Sequence, residues 1–168
     1  ITTTGFGYGD TVKWPLFSQV ILLLLMCIGG SAGSTAGGFK VIRGIIISRI
    51  AKNQILSTLS PNRVLTMHVN GAVLDKDTQH KVLKYLATYV LIVLALIFIV
   101  SLDNNNLMTV VSGVLSCFNN IGPMIGTTDT FSIFSPFSKL LLSFAMIGGR
   151  LEIYPILLLF LPKTWSRR

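Results

Sequence analysis

Gly29-Gly30-Ser31-Ala32-Gly33-Ser34-Thr35-Ala36-Gly37-Gly38 lies inside a stretch, Trp14 to Phe39, that carries no charged residue. Five of its ten positions are glycine, and each interior glycine disfavours helix by about 1 kcal/mol relative to alanine. An intact helix cannot run through five of them. Close helix packing through small residues explains one or two glycines spaced four apart, but not two Gly-Gly pairs flanking Gly-Ser-Thr. Irregular backbone at membrane depth survives only where protein buries it or where it lines a water-filled path. The stretch therefore predicts a membrane segment over 14–48 that is broken at 29–38.

The composition agrees with a bilayer. Of the 168 residues, 51% are hydrophobic and 12% charged, with a mean hydropathy of +0.70; a soluble domain carries about twice that share of charge. Tyr85 to Leu102 and Asn104 to Thr128 are also free of charge, and Leu140 to Pro162 carries only Arg150 and Glu152. A spanning helix needs roughly 20 mainly apolar residues, so each stretch is long enough. The chain opens at Ile1, inside a loop motif and without a methionine, and reads as part of a longer protein.

The net charge of +8 is distributed asymmetrically. Lys40, Arg43, Arg49, Lys52, Arg63, Lys76, Lys81 and Lys84 fall between hydrophobic stretches, and Lys163, Arg167 and Arg168 close the chain. Cytoplasmic loops collect Lys and Arg, which puts the 40–84 connection and the C-terminus in the cytoplasm. Gly9–Trp14 and Asp103–Asn106 then face outside. Spans on either side of the basic segment exclude a folded nucleic-acid-binding face.

Beyond the break, 45–59 reads as an amphipathic cytoplasmic helix stopped by Pro61. Val64 to Leu74 turns at Asn70-Gly71, a pair suited to a type I′ hairpin turn, and predicts a short cytoplasmic β-hairpin within a 61–80 connection. An outer helix follows over 81–102. The apolar run 107–118 is too short to cross and ends in Asn119-Asn120-Ile121-Gly122-Pro123, where proline and glycine stop it. A short helix and an extended turn entered from one side make a re-entrant pore helix and loop, with the loop at 119–124. An inner helix over 136–161 returns to the cytoplasm. The order is the end of one helix–pore–helix unit, 1–60, followed by a complete second unit, 81–168.

Thr2-Thr3-Thr4-Gly5-Phe6-Gly7-Tyr8-Gly9-Asp10, a loop at 1–9, resembles the potassium-channel filter Thr-Val-Gly-Tyr-Gly. A ring of backbone carbonyls replaces the water of a dehydrated cation, and glycine lets successive carbonyls face one way. A glycine-rich surface turn is the plainer alternative, against which stands the hydrophobic span directly following. Asn120-Ile121-Gly122-Pro123 has one glycine and no threonine pair. Its place after a short pore helix makes it the counterpart of the first loop.

Together these stretches resemble the Trk/Ktr/HKT superfamily of potassium transporters, most of all its Trk-type membrane subunits. The matching residues are Thr2 to Phe6, Gly29 to Arg43, Cys117 to Pro123 and Gly149-Arg150-Leu151-Glu152-Ile153. The Gly7-Tyr8-Gly9 run departs toward the channel pattern. The resemblance implies an all-α membrane protein of four helix–pore loop–helix units around a pseudo-fourfold pore. This chain would hold most of the third unit and all of the fourth. It implies a filter of Thr3, Thr4, Gly5, Phe6, Asn120, Ile121, Gly122 and Pro123, with potassium held as cargo by carbonyls of Thr4, Gly5, Ile121 and Gly122. It also implies an intramembrane gate of Gly33, Ser34, Thr35, Ala36, Gly37 and Gly38 beneath the filter. A multi-pass protein of the bacterial inner membrane follows, working as a homodimer with a cytosolic nucleotide-binding regulatory subunit and needing no organic cofactor. The basic surfaces could dock that subunit or lipid headgroups equally well.

Arg150 is expensive at the middle of a membrane helix and marks function there. Glu152, two residues away, does not face it on a helix; snorkelling to an interface is the other plain reading. Family resemblance favours an inward-facing Arg150 donating to gate-loop carbonyls. Lys40 and Arg43 serve as positive-inside anchors or as pore residues. Two rivals remain: a potassium-channel subunit with two pore units, and a non-transporting membrane scaffold. No phosphate loop, metal cluster or nucleophile–base pair supports an enzyme. Cys27 and Cys117 read as small buried hydrophobes, and His68 and His80 as surface residues.

Overall fold

A computed structural model of the chain describes residues 5, 11–31, 37–59, 68–69, 72–73, 75–125 and 131–151. Helix α1, Leu16–Ile28, begins directly after Pro15, whose ring fixes a backbone angle suited to a helix entrance. The Gln19 amide donates to the carbonyls of Trp14 and Thr11, at 3.0 and 3.3 Å, and holds the approach. Helix α1 stops at Gly29, and helix α2, Val41–Leu59, starts after Lys40, which has a φ of 67°. Gly29 to Ser31 and Gly37 to Lys40 are not helical, so α1 and α2 are separate helices. The segment beyond Lys40 is one continuous helix to Leu59, the inner segment and its expected 45–59 extension running together. Gly44 lies inside α2 in open surroundings, where a Cβ would meet nothing within 4 Å.

Two two-residue strands, β1 His68–Val69 and β2 Ala72–Val73, pair antiparallel with His68 opposite Val73 and Val69 opposite Ala72. Helix α3 then runs Lys76–Val100. It starts five residues before the expected 81, because Asp77 in the first turn suits the positive end of the helix dipole. Among the described residues it is the one helix long and apolar enough to cross a membrane. A turn at Ser101–Asp103 ends with Asn104 in the left-handed region.

Helix α4, Leu107–Phe118, is the centre of the packing: Thr109, Val110 and every residue from Ser112 to Phe118 are buried. Helix α5, Pro136–Arg150, is started by Ser135, whose hydroxyl accepts from the Ser138 amide at 3.2 Å. The Asp103 carboxylate accepts from the Ser135 amide at 3.0 Å and ties the end of α3 to the start of α5.

One stripe of α3, Tyr85, Tyr89, Val93, Leu96 and Val100, packs with Val110, Val114 and Phe118 of α4 and Leu142 and Ala145 of α5. The spacing of four, four, three and four is that of one helix face. The other side of α3 exposes Leu91, Leu94 and Phe98, with Phe98 73% exposed, and Leu102 in the turn beyond it is exposed too. A face this apolar suits lipid or further protein rather than water. Lipid tails are as apolar as these side chains, so close contact and hydrogen bonds hold such helices together more than water exclusion does. Gly113 shows the device: a Cβ there would stand 3.0 Å from the Phe134 ring and 3.2 Å from the Met124 sulfur.

Candidate functional site

The site is assembled at the C-terminal end of α4. Asn119 ends the helix, its amide donating to the Leu115 carbonyl at 2.9 Å. The chain then turns back along the helix it has just left. The Ile121 amide donates to the Ser116 carbonyl at 2.9 Å, and the Gly122 amide to the Ser116 hydroxyl at 3.0 Å. One helical turn higher, the Ser112 hydroxyl donates to the Ile125 carbonyl at 2.7 Å and accepts from the Ile125 amide at 3.1 Å. With their amides spent on α4, residues 121 and 122 keep their carbonyls for something else. The spacing of Ser112 and Ser116, four apart on one helix face, was the signal in the sequence for this anchor, and it was not singled out there.

The turn brings the second loop against the first. Gly5 and Gly122 have φ of 78° and 108°, a region that side-chain-bearing residues rarely enter. A Cβ on Gly122 would stand 3.5 Å from the Gly5 Cα, and one on Gly5 would stand 3.0 Å from the Ile121 carbonyl oxygen. Two glycines remote in sequence thus meet backbone to backbone. Of the expected filter residues, Gly5, Asn120, Ile121, Gly122 and Pro123 are described; Thr3, Thr4 and Phe6 lie outside the described residues.

Under this turn lies the break between α1 and α2. The Phe39 amide donates to the Cys27 carbonyl at 3.3 Å, and the Val41 amide to the Gly30 carbonyl at 3.2 Å. These bonds close the excursion at its neck. The returning limb touches the end of α4: a Cβ on Gly37 would stand 2.5 Å from the Asn119 carbonyl oxygen. Gly37 and Gly38 are the described members of the expected gate; Gly33, Ser34, Thr35 and Ala36 lie outside the described residues.

Helix α5 meets the same place. Gly149 packs directly on the Phe118 carbonyl, leaving no room for a Cβ. The Asn120 side-chain amide donates to the Met146 carbonyl at 3.0 Å. Arg150, the next residue after Gly149, is exposed, and most of the gate segment expected to receive its donors lies outside the described residues. Arg43 does not point away as a free anchor: its guanidinium stacks 3.8 Å over the Tyr85 ring, a cation–π contact. Phe39, Tyr89 and Phe118 continue this aromatic series, with ring centroids 5.9 and 5.4 Å apart. Tyr89 also bonds Asn119, the first residue of the expected 119–124 loop; Tyr89 itself carried no signal in the sequence. Cys27 and Cys117 are free thiols.

The model of the family described as "TrkH: Cation transport protein" matches residues 1–167. The chain belongs to the TrkH family. The Trk system potassium uptake protein TrkH of Escherichia coli K12 is 32% identical over 165 residues, covering 98% of this chain and 34% of that protein. TrkG of the same organism is also 32% identical, over 166 residues. The crystal structure of the potassium transporter TrkH from Vibrio parahaemolyticus superposes with a TM-score of 0.88 at 32% identity, covering 98% of this chain and 36% of that one. The chain thus has the mostly helical fold of that TrkH and spans about a third of the length of these relatives. Members of the TrkH family are membrane proteins.

Proposed function

We propose that this chain forms part of a potassium-conducting pore, contributing the loops around Gly5 and Gly122 to its selectivity filter. The observation that carries the reading is the backbone contact of those two glycines beside the Ile121 carbonyl. Carbonyls of Thr4, Gly5, Ile121 and Gly122 replace part of the ion's hydration shell, with Thr3, Phe6, Asn120 and Pro123 completing the loops. The negative C-terminal end of α4 stands behind the second loop and favours a cation there. Further helix–pore loop–helix units complete the ring around a pseudo-fourfold axis.

The segment Gly33-Ser34-Thr35-Ala36-Gly37-Gly38 acts as the gate. The Phe39–Cys27 and Val41–Gly30 backbone bonds hold the end of α1 to the start of α2. Arg150 adds positive charge in the path and donates to carbonyls of that segment. The basic surfaces of the 40–84 connection, including the paired strands, lie in the cytoplasm with the C-terminus. There they meet lipid headgroups and a nucleotide-binding regulatory subunit, on a homodimer in the bacterial inner membrane. The relatives named as Trk system potassium uptake proteins support this assignment.

Radioactive rubidium uptake into vesicles containing the complete protein tests the reading. Saturable uptake that unlabelled potassium competes away is the expected result. Vesicles indistinguishable from protein-free ones would leave the membrane scaffold as the better reading.

A further inference from the structure

Where α1 gives way to α2, the surface holds an open groove of about 490 Å³. Its floor is one face of α2, formed by Val41, Gly44, Ile45 and Ser48, each with a neighbour three or four positions along the helix. Gly44 gives the groove its depth. A Cβ there would meet nothing within 4 Å, so no close approach among the described residues requires a glycine, which disfavours helix by about 1 kcal/mol relative to alanine. Ile28 and Phe39, from either side of the break, supply an apolar wall.

The ends of the groove differ from its middle. Lys40 lines it where α2 begins, and Arg49 lines it at the far end beside Ser48. Nine residues of helical rise separate the two cations by about 14 Å. The sequence of α2 changes at the same level. From Val41 to Ile47 it is apolar apart from Arg43 and Gly44, and from Ser48 it runs Ser-Arg-Ile-Ala-Lys-Asn-Gln. Arg43 faces elsewhere, stacked over Tyr85. Exposed Leu24 and Ile28 of α1 carry the apolar surface up to the groove. In a membrane protein, such a change from apolar to basic and polar marks the headgroup level.

We infer that the groove is a binding site for an anionic phospholipid. The acyl chain lies over Gly44, against Ile28, Phe39 and Ile45, and the phosphate meets Arg49 and the Ser48 hydroxyl. The room suffices, since an apolar cavity of about 150 Å³ already holds benzene. A lipid tail gains little by leaving the bilayer for an apolar groove, so selection among lipids falls to the headgroup. There Arg49 and Lys40 favour net negative charge, and a guanidinium matches phosphate oxygens in geometry as well as charge. A soluble anion would use the cations and leave the apolar floor uncovered; a phospholipid covers both. The inference deepens, and rests on, the reading that the basic 40–84 connection meets lipid headgroups. It is independent of the filter and the gate.

The test reconstitutes the complete protein in phosphatidylcholine vesicles holding a trace of phosphatidylglycerol with a photoactivatable group in its acyl chain. Labelled peptides are identified by mass spectrometry. Label is expected around Ile28 and over 41–45, displaced by unlabelled phosphatidylglycerol and not by inorganic phosphate. Phosphatidylcholine carrying the same group should label the groove at least about fivefold less, and Arg49→Gln should weaken the phosphatidylglycerol label by about fivefold, the factor one basic residue supplies toward anionic lipid. Gly44→Trp, which fills the groove, should abolish the label. Lys81→Gln, which removes a charge from α3 outside the groove, should leave it unchanged.

Equal labelling by the phosphatidylcholine probe would overturn the proposal. Displacement by inorganic phosphate would also overturn it, making the site one for a free anion. So would a groove that no lipid probe labels, the result expected where another part of the complete protein or a protein partner covers it. Should Gly44→Trp fail to fold, Arg49→Gln, at an exposed position, decides the matter, and undiminished label there counts against the site. Label on 40–84 outside the groove overturns the site alone; no label anywhere on 40–84 overturns the headgroup reading with it.

Discussion

Gly122 lies directly against Gly5, so that a Cβ on Gly122 would stand 3.5 Å from the Gly5 Cα. The two residues are remote in the sequence. The second loop is held from behind, by Ser112 and Ser116 of α4, and pressed forward onto the first. A rigid back and a bare glycine front let two backbones approach this closely.

Ser116→Ala tests the rigid back. It leaves the Gly122 amide without the hydroxyl that accepts from it at 3.0 Å. Loss of a neutral hydrogen bond of this kind costs about 0.5–1.5 kcal/mol. A lower unfolding temperature is expected, together with weaker discrimination of rubidium from sodium in vesicle uptake. Ser116→Thr, which keeps the hydroxyl, should restore most of the discrimination.

Gly37→Ala and Gly44→Ala form a matched pair. A Cβ at Gly37 would press on the Asn119 carbonyl, whereas one at Gly44 meets nothing within 4 Å. Gly37→Ala is therefore expected to displace the returning limb and raise basal rubidium uptake. Gly44→Ala, inside α2, should stabilise the helix by up to about 1 kcal/mol. Thermal unfolding should show its gain, with uptake unchanged.

Gly149→Ala probes the crossing of α5 over the end of α4. The Phe118 carbonyl occupies the position a methyl group would take. Helix α5 must then move, and the Asn120–Met146 bond of 3.0 Å with it. Poor yield of folded protein or a strongly lowered unfolding temperature, read by gel filtration and thermal melting, is the expected outcome.

Ser135→Ala removes the cap of α5, which accepts from the Ser138 amide. Loss of such a cap costs about 1 kcal/mol. The unfolding temperature should fall modestly while the rubidium-to-sodium ratio stays at its wild-type value, since this cap lies away from the two loops.

The punctuation of the chain was legible in its residues. Proline and glycine at 122–123 mark the end of α4, Pro136 marks the start of α5, and the glycines of 29–38 announce the break between α1 and α2. Polar residues at helix ends were harder to read. Asp77, Thr78, Gln79 and His80 lack the apolar signature of the span, yet α3 includes them because an acidic first turn favours a helix start. The end of α2 at Leu59 was legible from Pro61, although its two ends differ in character, apolar near Ile45 and polar near Asn53. The second loop was placed by its position after a short helix, and Gly122 was named. Its anchors were not, because Ser112 and Ser116 look like small packing residues until the loop is seen to fold back on them. The contacts of Asn119 and Tyr89 were out of reach for another reason. Their partners lie 93 and 30 residues away, and no local period signals a contact at that distance.

Substitution of Gly122, proposed as a filter glycine, tests the central claim most directly. Gly122→Ser in the complete protein, reconstituted in vesicles, is assayed for rubidium and sodium uptake from mixtures of the two ions. A serine at a φ of 108°, with its Cβ beside Gly5, must disturb the carbonyls on both loops. The account predicts that sodium uptake rises relative to rubidium while the protein remains folded. An unchanged ratio in folded Gly122→Ser protein would contradict it.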